Sequence, residues 1–314
     1  MQLPTAYLLR QWNYTEPVGE DAYIEHLIVR LFPNRPEVRY EGAVHEQIVC
    51  SDETLGFQVG RSDIILHHDG YRPQHRNATS KAERDRIALE RELRESPEDG
   101  FGFYNLGMTY RSLGLEEEAA AALQRSIELG VSGRRTSEPP GYVLHSRIEI
   151  GRARGALGHT DEAIRLLEVA VRSAPDSPDA WAALGAAYAM AGRWTDALEA
   201  YRSVQSCPVT SAAAPTDRTL IAWKGSVGEA QILRMLGRLE EAADVLSNLR
   251  ARGHNHLGVV VTLAEVYRDQ GDIQRASELL EALDSDGTEI PGVADLMNEL
   301  LALKDGGKPS IAGP

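Results

Sequence analysis

Apolar and polar positions recur as helix-turn-helix units along residues 100–290, and the first ~98 residues carry no trace of such units. In the repeating part, large apolar residues at i, i+3 and i+7 enclose a small one: Phe103, Leu106, Gly107, Tyr110; Trp181, Leu184, Gly185, Tyr188; Leu263, Ala264, Tyr267. Each set predicts a first helix with one apolar stripe, a glycine turn (Gly114, Gly192, Gly271) and a second helix around an alanine (Ala119, Ala197, Ala276). Ala163, Ala197, Ala242 and Ala276 each lie five residues after a glycine, and 34 residues separate the first two and the last two. A helical hairpin cannot bury its apolar face alone, so this period predicts hairpins stacked side by side in a superhelix.

Aligned on those alanines, five units span 100–133, 144–177, 178–211, 223–256 and 257–290. Unit two departs most, with Arg147 and Arg154 at the aromatic positions, which predicts a longer or shifted first helix. Two extra segments, Arg134–Val143 and Ala212–Ala222, predict a lengthened following helix or a loop on one rim. Residues 291–304, with Leu296, Leu300, Leu301 and Leu303, predict a capping helix, and 305–314 a disordered tail. The framework W-x2-L-G-x2-Y, A-x3-F and P resembles the tetratricopeptide repeat. The expected fold class is mostly α: a right-handed α-solenoid of helical hairpins behind a small β-rich segment. The resemblance implies that first helices line a concave groove holding a protein or peptide. By phase the groove would show Tyr104, Asn105, Met108, Arg111, His145, Arg152, Lys224, Gln231, Arg234 and Arg268. That set leans basic. Either it holds an acidic peptide or carboxylate, or each charge is paired to a neighbouring Glu in a solvated groove.

Residues 1–79 change to short β-like runs: Thr5–Arg10, His26–Phe32, Ala43–Cys50 and Asp63–Asp69, separated by turn formers such as Pro33-Asn34-Arg35-Pro36. Ala82, Arg86, Leu89 and Leu93 then predict an amphipathic helix, capped by Ser80 and ended by Pro97, that bridges 80–99 into the repeats. Four strands make a thin core, so the segment must pack on something, and the first hairpin is nearest.

A net charge of −14 excludes non-specific binding to nucleic acid or anionic membranes, which needs a basic surface. No apolar stretch approaches the ~18 residues of a membrane span. Residues 1–30 lack the basic start and apolar run of a secretion signal, so a cytoplasmic location is expected. Asn13-Tyr14-Thr15 and Asn77-Ala78-Thr79 are then chance matches to a glycosylation pattern. Cys50 and Cys207 fit no metal or redox spacing and read as buried reduced thiols. No metal site and no Gly-x-Ser-x-Gly elbow is found.

Residues 30–48 read Arg-Leu-Phe-Pro-Asn-Arg-Pro-Glu-Val-Arg-Tyr-Glu-Gly-Ala-Val-His-Glu-Gln-Ile, followed by His67-His68-Asp69-Gly70-Tyr71 and later Tyr104-Asn105-Leu106-Gly107. In that order, over about residues 4–130, these resemble the carboxy-terminal, acceptor-side half of a bacterial family 2 glycosyltransferase of the GT-A type, the kind followed directly by tetratricopeptide repeats. The resemblance implies Glu46 as an acceptor-side base and His45 as a diphosphate or metal contact. Read as residues alone, the two equally make an interior His–Glu bond between strands. Arg30, Arg35 and Arg39 could face phosphates, or simply solvent. Of His67 and His68, adjacent on a strand, only one can join any site.

In that family a nucleotide-binding half comes first and ends in an Asp-x-Asp metal site. Here no Asp-x-Asp precedes residue 100, and Asp284-Ser285-Asp286 lies in the final repeat. No cofactor is therefore expected for this chain. Sugar nucleotide with Mn or Mg would enter only if a nucleotide-binding half were supplied. Two functions remain: a glycosyltransferase-like protein, inactive as this chain alone, whose repeats present a protein, peptide or glycan acceptor; or a non-catalytic scaffold mediating protein–protein interaction.

Overall fold

The computed structural model describes residues 5–14, 23–42, 44, 47–50, 58–68, 78–132, 141–208, 216–284 and 293–304. Strand β1 (Thr5–Tyr14) runs antiparallel to β2 (Tyr23–Leu31). A separate hairpin joins β3 (Val38–Glu41) to β4 (Gln47–Cys50), and β5 (Gln58–His68) lies parallel to β1. β4 falls within the expected third run, and β3 lies in the stretch between the turn formers 33–36 and 41–42, where the sequence pattern predicts no strand. Between the pairs Leu8–Arg61 and Arg10–Ile65, β5 advances further than β1, so the outer strand bulges around residues 62–64. There the Ile64 amide donates to Ser62 Oγ at 3.2 Å.

Helix α1 (Ala78–Glu95) begins two residues before Ser80, which is therefore inside the helix and not its cap. Ala82, Leu89 and Leu93 are buried; Leu89 and Leu93 share a cluster with Leu106 and Ala122 of the first hairpin, against which Val44 of the head also packs. The head therefore leans on the first hairpin, as its thin core demands.

Five hairpins follow: α2 (Gly100–Ser112) with α3 (Glu116–Val131), α4 (Gly141–Ala156) with α5 (Thr160–Ser173), and α6 (Pro178–Met190) with α7 (Trp194–Ser206). The fourth is preceded by a two-residue strand, β6 (Thr216–Asp217), and a π-helical turn, Leu220–Lys224, before α8 (Gly225–Met235) and α9 (Leu239–Ala251). The last pairs α10 (Leu257–Asp269) with α11 (Ile273–Asp284), and α12 (Val293–Lys304) follows. The early start of α4 gives unit two its long first helix. The extra segment before α8 makes both a strand and a helix extension.

Each hairpin turns at a glycine in the left-handed region: Gly114, Gly158, Gly192, Gly237 and Gly271 have φ from 70° to 81°. The residue after each donates its amide five residues back, as Leu115 does to Tyr110 O at 3.0 Å and Asp272 to Tyr267 O at 2.8 Å. This pattern satisfies carbonyls that the helix end would leave open, and a side chain at the glycine would strain it. Within hairpins, small residues let the helices close. A Cβ on Gly107 would meet Leu123 Cγ at 2.6 Å, and one on Gly151 would meet Leu167 Cγ at 2.6 Å. Leu123 and Leu167 are fully buried beneath them. Val293, Leu296 and Leu300 of α12 cover the end of the stack over Ala264, Ala276 and Leu280.

Candidate functional site

The first helices α2, α4, α6, α8, α10 and α12 touch one another in succession and form one continuous face. Every groove residue expected from sequence lies on these helices or on the π-helical turn. The basic lean of that set is offset by carboxylates on the same first helix, on the neighbouring one, or on β6. Arg111 and Arg152 both pair with Glu149, which is 2% exposed; Arg152 Nη1 reaches it at 2.7 Å. Arg234 pairs with Glu265 and Asp269, and Arg268 with Asp269 at 2.8 Å and Glu299 at 2.9 Å. Lys224 Nζ lies 3.2 Å from Asp217.

Taking Glu149 out of water is costly unless its charge is matched, and two guanidiniums match it. The acids that sequence reasoning missed carried one readable signal: Arg234–Glu265 and Arg268–Glu299 are each 31 residues apart. Beyond the ions, Tyr104 shares a 2.9 Å hydrogen bond with His145 Nδ1, Asn105 is buried, Met108 is half-buried and Gln231 is exposed.

Two buried groups titrate abnormally. Burial drives the His145 imidazole down to about 4, helped by Arg152, His26 and Arg111. Burial also pushes the Asp179 carboxyl up to about 6; Arg152, with Nη2 4.0 Å away, opposes this and Asp217 adds to it. The neighbours His26 and Asp217 belong to the sheet, so its β2–β6 side faces the first helices.

Arg30 donates to the Tyr40 hydroxyl at 3.1 Å, whereas Arg39 pairs with Glu41 at 2.5 Å. Tyr40 alternates with Arg39 and Glu41 along β3, so the two arginines serve opposite faces of that strand. Arg35 is exposed in the turn before it. The three do not converge on a phosphate site. His45 and Glu46 lie outside the described residues. His67 and His68 do point apart: His67 shares a 2.6 Å bond with Tyr14, and His68 a 2.9 Å bond with Asn13.

The outer face of β1 and β2 holds a cluster that sequence reasoning overlooked. Trp12 stacks on Tyr23 with centroids 4.3 Å apart, and Glu25 accepts from Trp12 at 2.9 Å and from Arg10 at 2.7 Å. Burial alone would raise the Glu25 carboxyl, but those bonds and the Arg10 charge outweigh it and hold it below the usual range. Cys207 is a free, buried thiol that burial pushes up to about 11, which leaves it unreactive. Among the described residues no group of three His, Cys, Asp or Glu could hold a metal, and no helix is long and apolar enough to cross a membrane.

Comparison with known proteins bears on both parts. Tetratricopeptide-repeat family models match residues 102–129, 148–218 and 230–300. Among curated relatives, the SPbeta prophage-derived glycosyltransferase SunS of Bacillus subtilis is 31% identical over 98 residues, 31% of this chain and 23% of that protein. Superkiller protein 3 of Schizosaccharomyces pombe is 25% identical over 272 residues, 74% of this chain and 19% of that one. The chain thus spans less than a quarter of the length of these relatives. The crystal structure of the APC/C hetero-tetramer Cut9–Hcn1 superposes with a TM-score of 0.55 at 15% identity, over 71% of this chain and 40% of that one, which shows the shared fold. The repeat models together cover more than half of the residues, and every matched stretch is built of the stacked hairpins described above: the chain belongs to the tetratricopeptide-repeat family.

Proposed function

We propose that the chain is a protein-binding scaffold, and that it holds its partner on the concave face of its last repeats. The observation that carries this reading is the unbroken face of first helices running from α8 to α12. It has exposed Gln231 at its α8 end and a ladder of Arg234, Glu265, Arg268 and Glu299 leading from there to α12. A ladder already balanced in charge favours a partner that reads side-chain geometry over one that is simply acidic. The test is a photo-crosslinking residue at Gln231, with capture compared between the wild type and Arg234→Glu/Arg268→Glu at unchanged helicity. A crosslinked partner lost in the double variant supports the reading, and identical capture overturns it.

A second reading rests on the 98-residue likeness to the glycosyltransferase together with the residue 30–48 motif. Under it the head is the acceptor-side part of a transferase, with Glu46 as base, His45 as a diphosphate contact, and Mn or Mg and sugar nucleotide brought by a nucleotide-binding half. Calorimetric titration of the chain with sugar nucleotides and Mn²⁺ separates the two: the scaffold reading expects no heat, and saturable heat would favour the transferase.

A further inference from the structure

Part of the groove floor over α2–α6 is covered, although the Arg111 and Arg152 side chains on that stretch stay 30% and 38% exposed. At α8, Gln231 is exposed, whereas over α2–α6 Asn105 is 4% exposed and the side chains of His145 and Asp179 are only 15% and 12% exposed. What covers this stretch is the chain itself. The period between consecutive hairpin alanines is 34 residues for Ala163–Ala197 and for Ala242–Ala276, but 45 for Ala197–Ala242. The additional residues are not needed to stack hairpins, and they include β6 and lead into the π-helical turn. An inserted residue of this kind commonly marks a functional position in a helix.

Among the described residues of this insert, Asp217, Arg218, Thr219 and Lys224 make polar contacts in two directions, while the buried Trp223 indole nitrogen makes none. Toward the sheet, β6 pairs with β2 in the register Asp217–Ile24 and Thr216–Glu25, and Arg218 donates to the Tyr23 hydroxyl and attracts Glu25. Toward the solenoid, the Asp217 amide donates to the buried Asp179 carboxylate on α6. The Asp217 carboxylate accepts from the Thr219 amide at 2.9 Å and pairs with Lys224. Residues that contact both bodies through a two-residue strand act as a fastener.

We propose that residues 216–224 are a clip that seats the chain's own sheet on the concave face of the second and third hairpins, closing that stretch of groove until the clip releases. The clip is independent of which partner binds at α8–α12, and it explains why a partner would be confined there.

Arg218→Glu tests it, because it places a carboxylate opposite Glu25 and removes the bond to Tyr23; Arg218→Lys retains the charge, and Tyr23→Phe removes the hydroxyl alone. Two readouts are taken on the full chain: amide hydrogen exchange of β2, and modification of His145 by diethylpyrocarbonate followed by mass spectrometry. Arg218→Glu is expected to speed exchange at Ile24 and Glu25 at least tenfold and His145 modification several-fold. Exchange in α4, α6 and α10 stays unchanged, Arg218→Lys remains near wild type, and Tyr23→Phe shifts both readouts in the same direction but less. Unchanged His145 modification and unchanged β2 exchange in Arg218→Glu would overturn the clip. So would a uniform rise across all helices, which would mark general destabilisation.

Discussion

The Tyr110 hydroxyl donates to Glu90 at 3.0 Å, and twenty residues separate the two, as they separate Tyr188 from Glu168 in the identical bond between α6 and α5. Helix α1 therefore stands to α2 as the second helix of one hairpin stands to the first helix of the next. It acts as a half-repeat at the amino end of the stack. Removing the donor leaves a half-buried carboxylate short of one partner. Tyr110→Phe and Tyr188→Phe should each cost about 1 kcal/mol, since a bond to a charged acceptor is worth somewhat more when buried. Denaturant midpoints measure this. Unmoved midpoints would mean that packing alone holds α1 in place.

The turn glycines and the crossing glycines should fail for different reasons. Gly158 has open space around it, so Gly158→Ala meets only the left-handed backbone and should lose about 1 kcal/mol. Gly151→Ala drives a methyl into buried Leu167 and should lose about 1–3 kcal/mol. In a Leu167→Ala background the Gly151 substitution should become nearly silent, whereas that of Gly158 should not. A double-mutant cycle that shows equal coupling for both would refute the distinction.

Two buried groups pull the pH dependence in opposite directions. Asp179 ionises at about 6 in the fold against 3.8 in the open chain, so the fold takes up its proton first and gains stability as pH falls from 6 to 3.8. His145 titrates at about 4 against 6.5, so its contribution is complete above 6.5 and is lost as pH falls toward 4. Each effect is on the order of 3 kcal/mol, and together they nearly cancel. Compared with wild type between pH 7 and 4.5, Asp179→Asn should lose stability more steeply on acidification, and His145→Gln less steeply. Parallel curves for all three proteins would sink the assignment.

Glu149 is the hinge of the groove's ionic network. Glu149→Ala leaves the part-exposed Arg111 and Arg152 without their shared carboxylate, and about 1–3 kcal/mol should be lost. A loss under 1 kcal/mol would mean that water already carries those charges.

What could be read before any coordinates was whatever local chemistry dictates. The turn glycines Gly158, Gly192, Gly237 and Gly271 could be read from their 34-residue phase and their place between two apolar stripes, because glycine tolerates the left-handed backbone there. What could not be read depends on distant partners. Nothing in Thr216 or Asp217 announces a strand; β2, nearly two hundred residues earlier, makes them one. The arginines of the groove were visible, and so was the option of pairing to nearby acids, but not the longer pairs, since Glu265 and Glu299 sit one repeat beyond Arg234 and Arg268. Tyr110 and Tyr188 shared a phase in the pattern, yet α1 read as a connector because its own apolar spacing carries no glycine turn.

The kink at residues 62–64 decides how the head behaves among its own copies. A long, straight outer strand presents amide groups on which another molecule can crystallise into fibrils, and the local bend there interrupts that template after a few residues. The bend therefore leaves a second strand only a short run of amides to pair with along that edge.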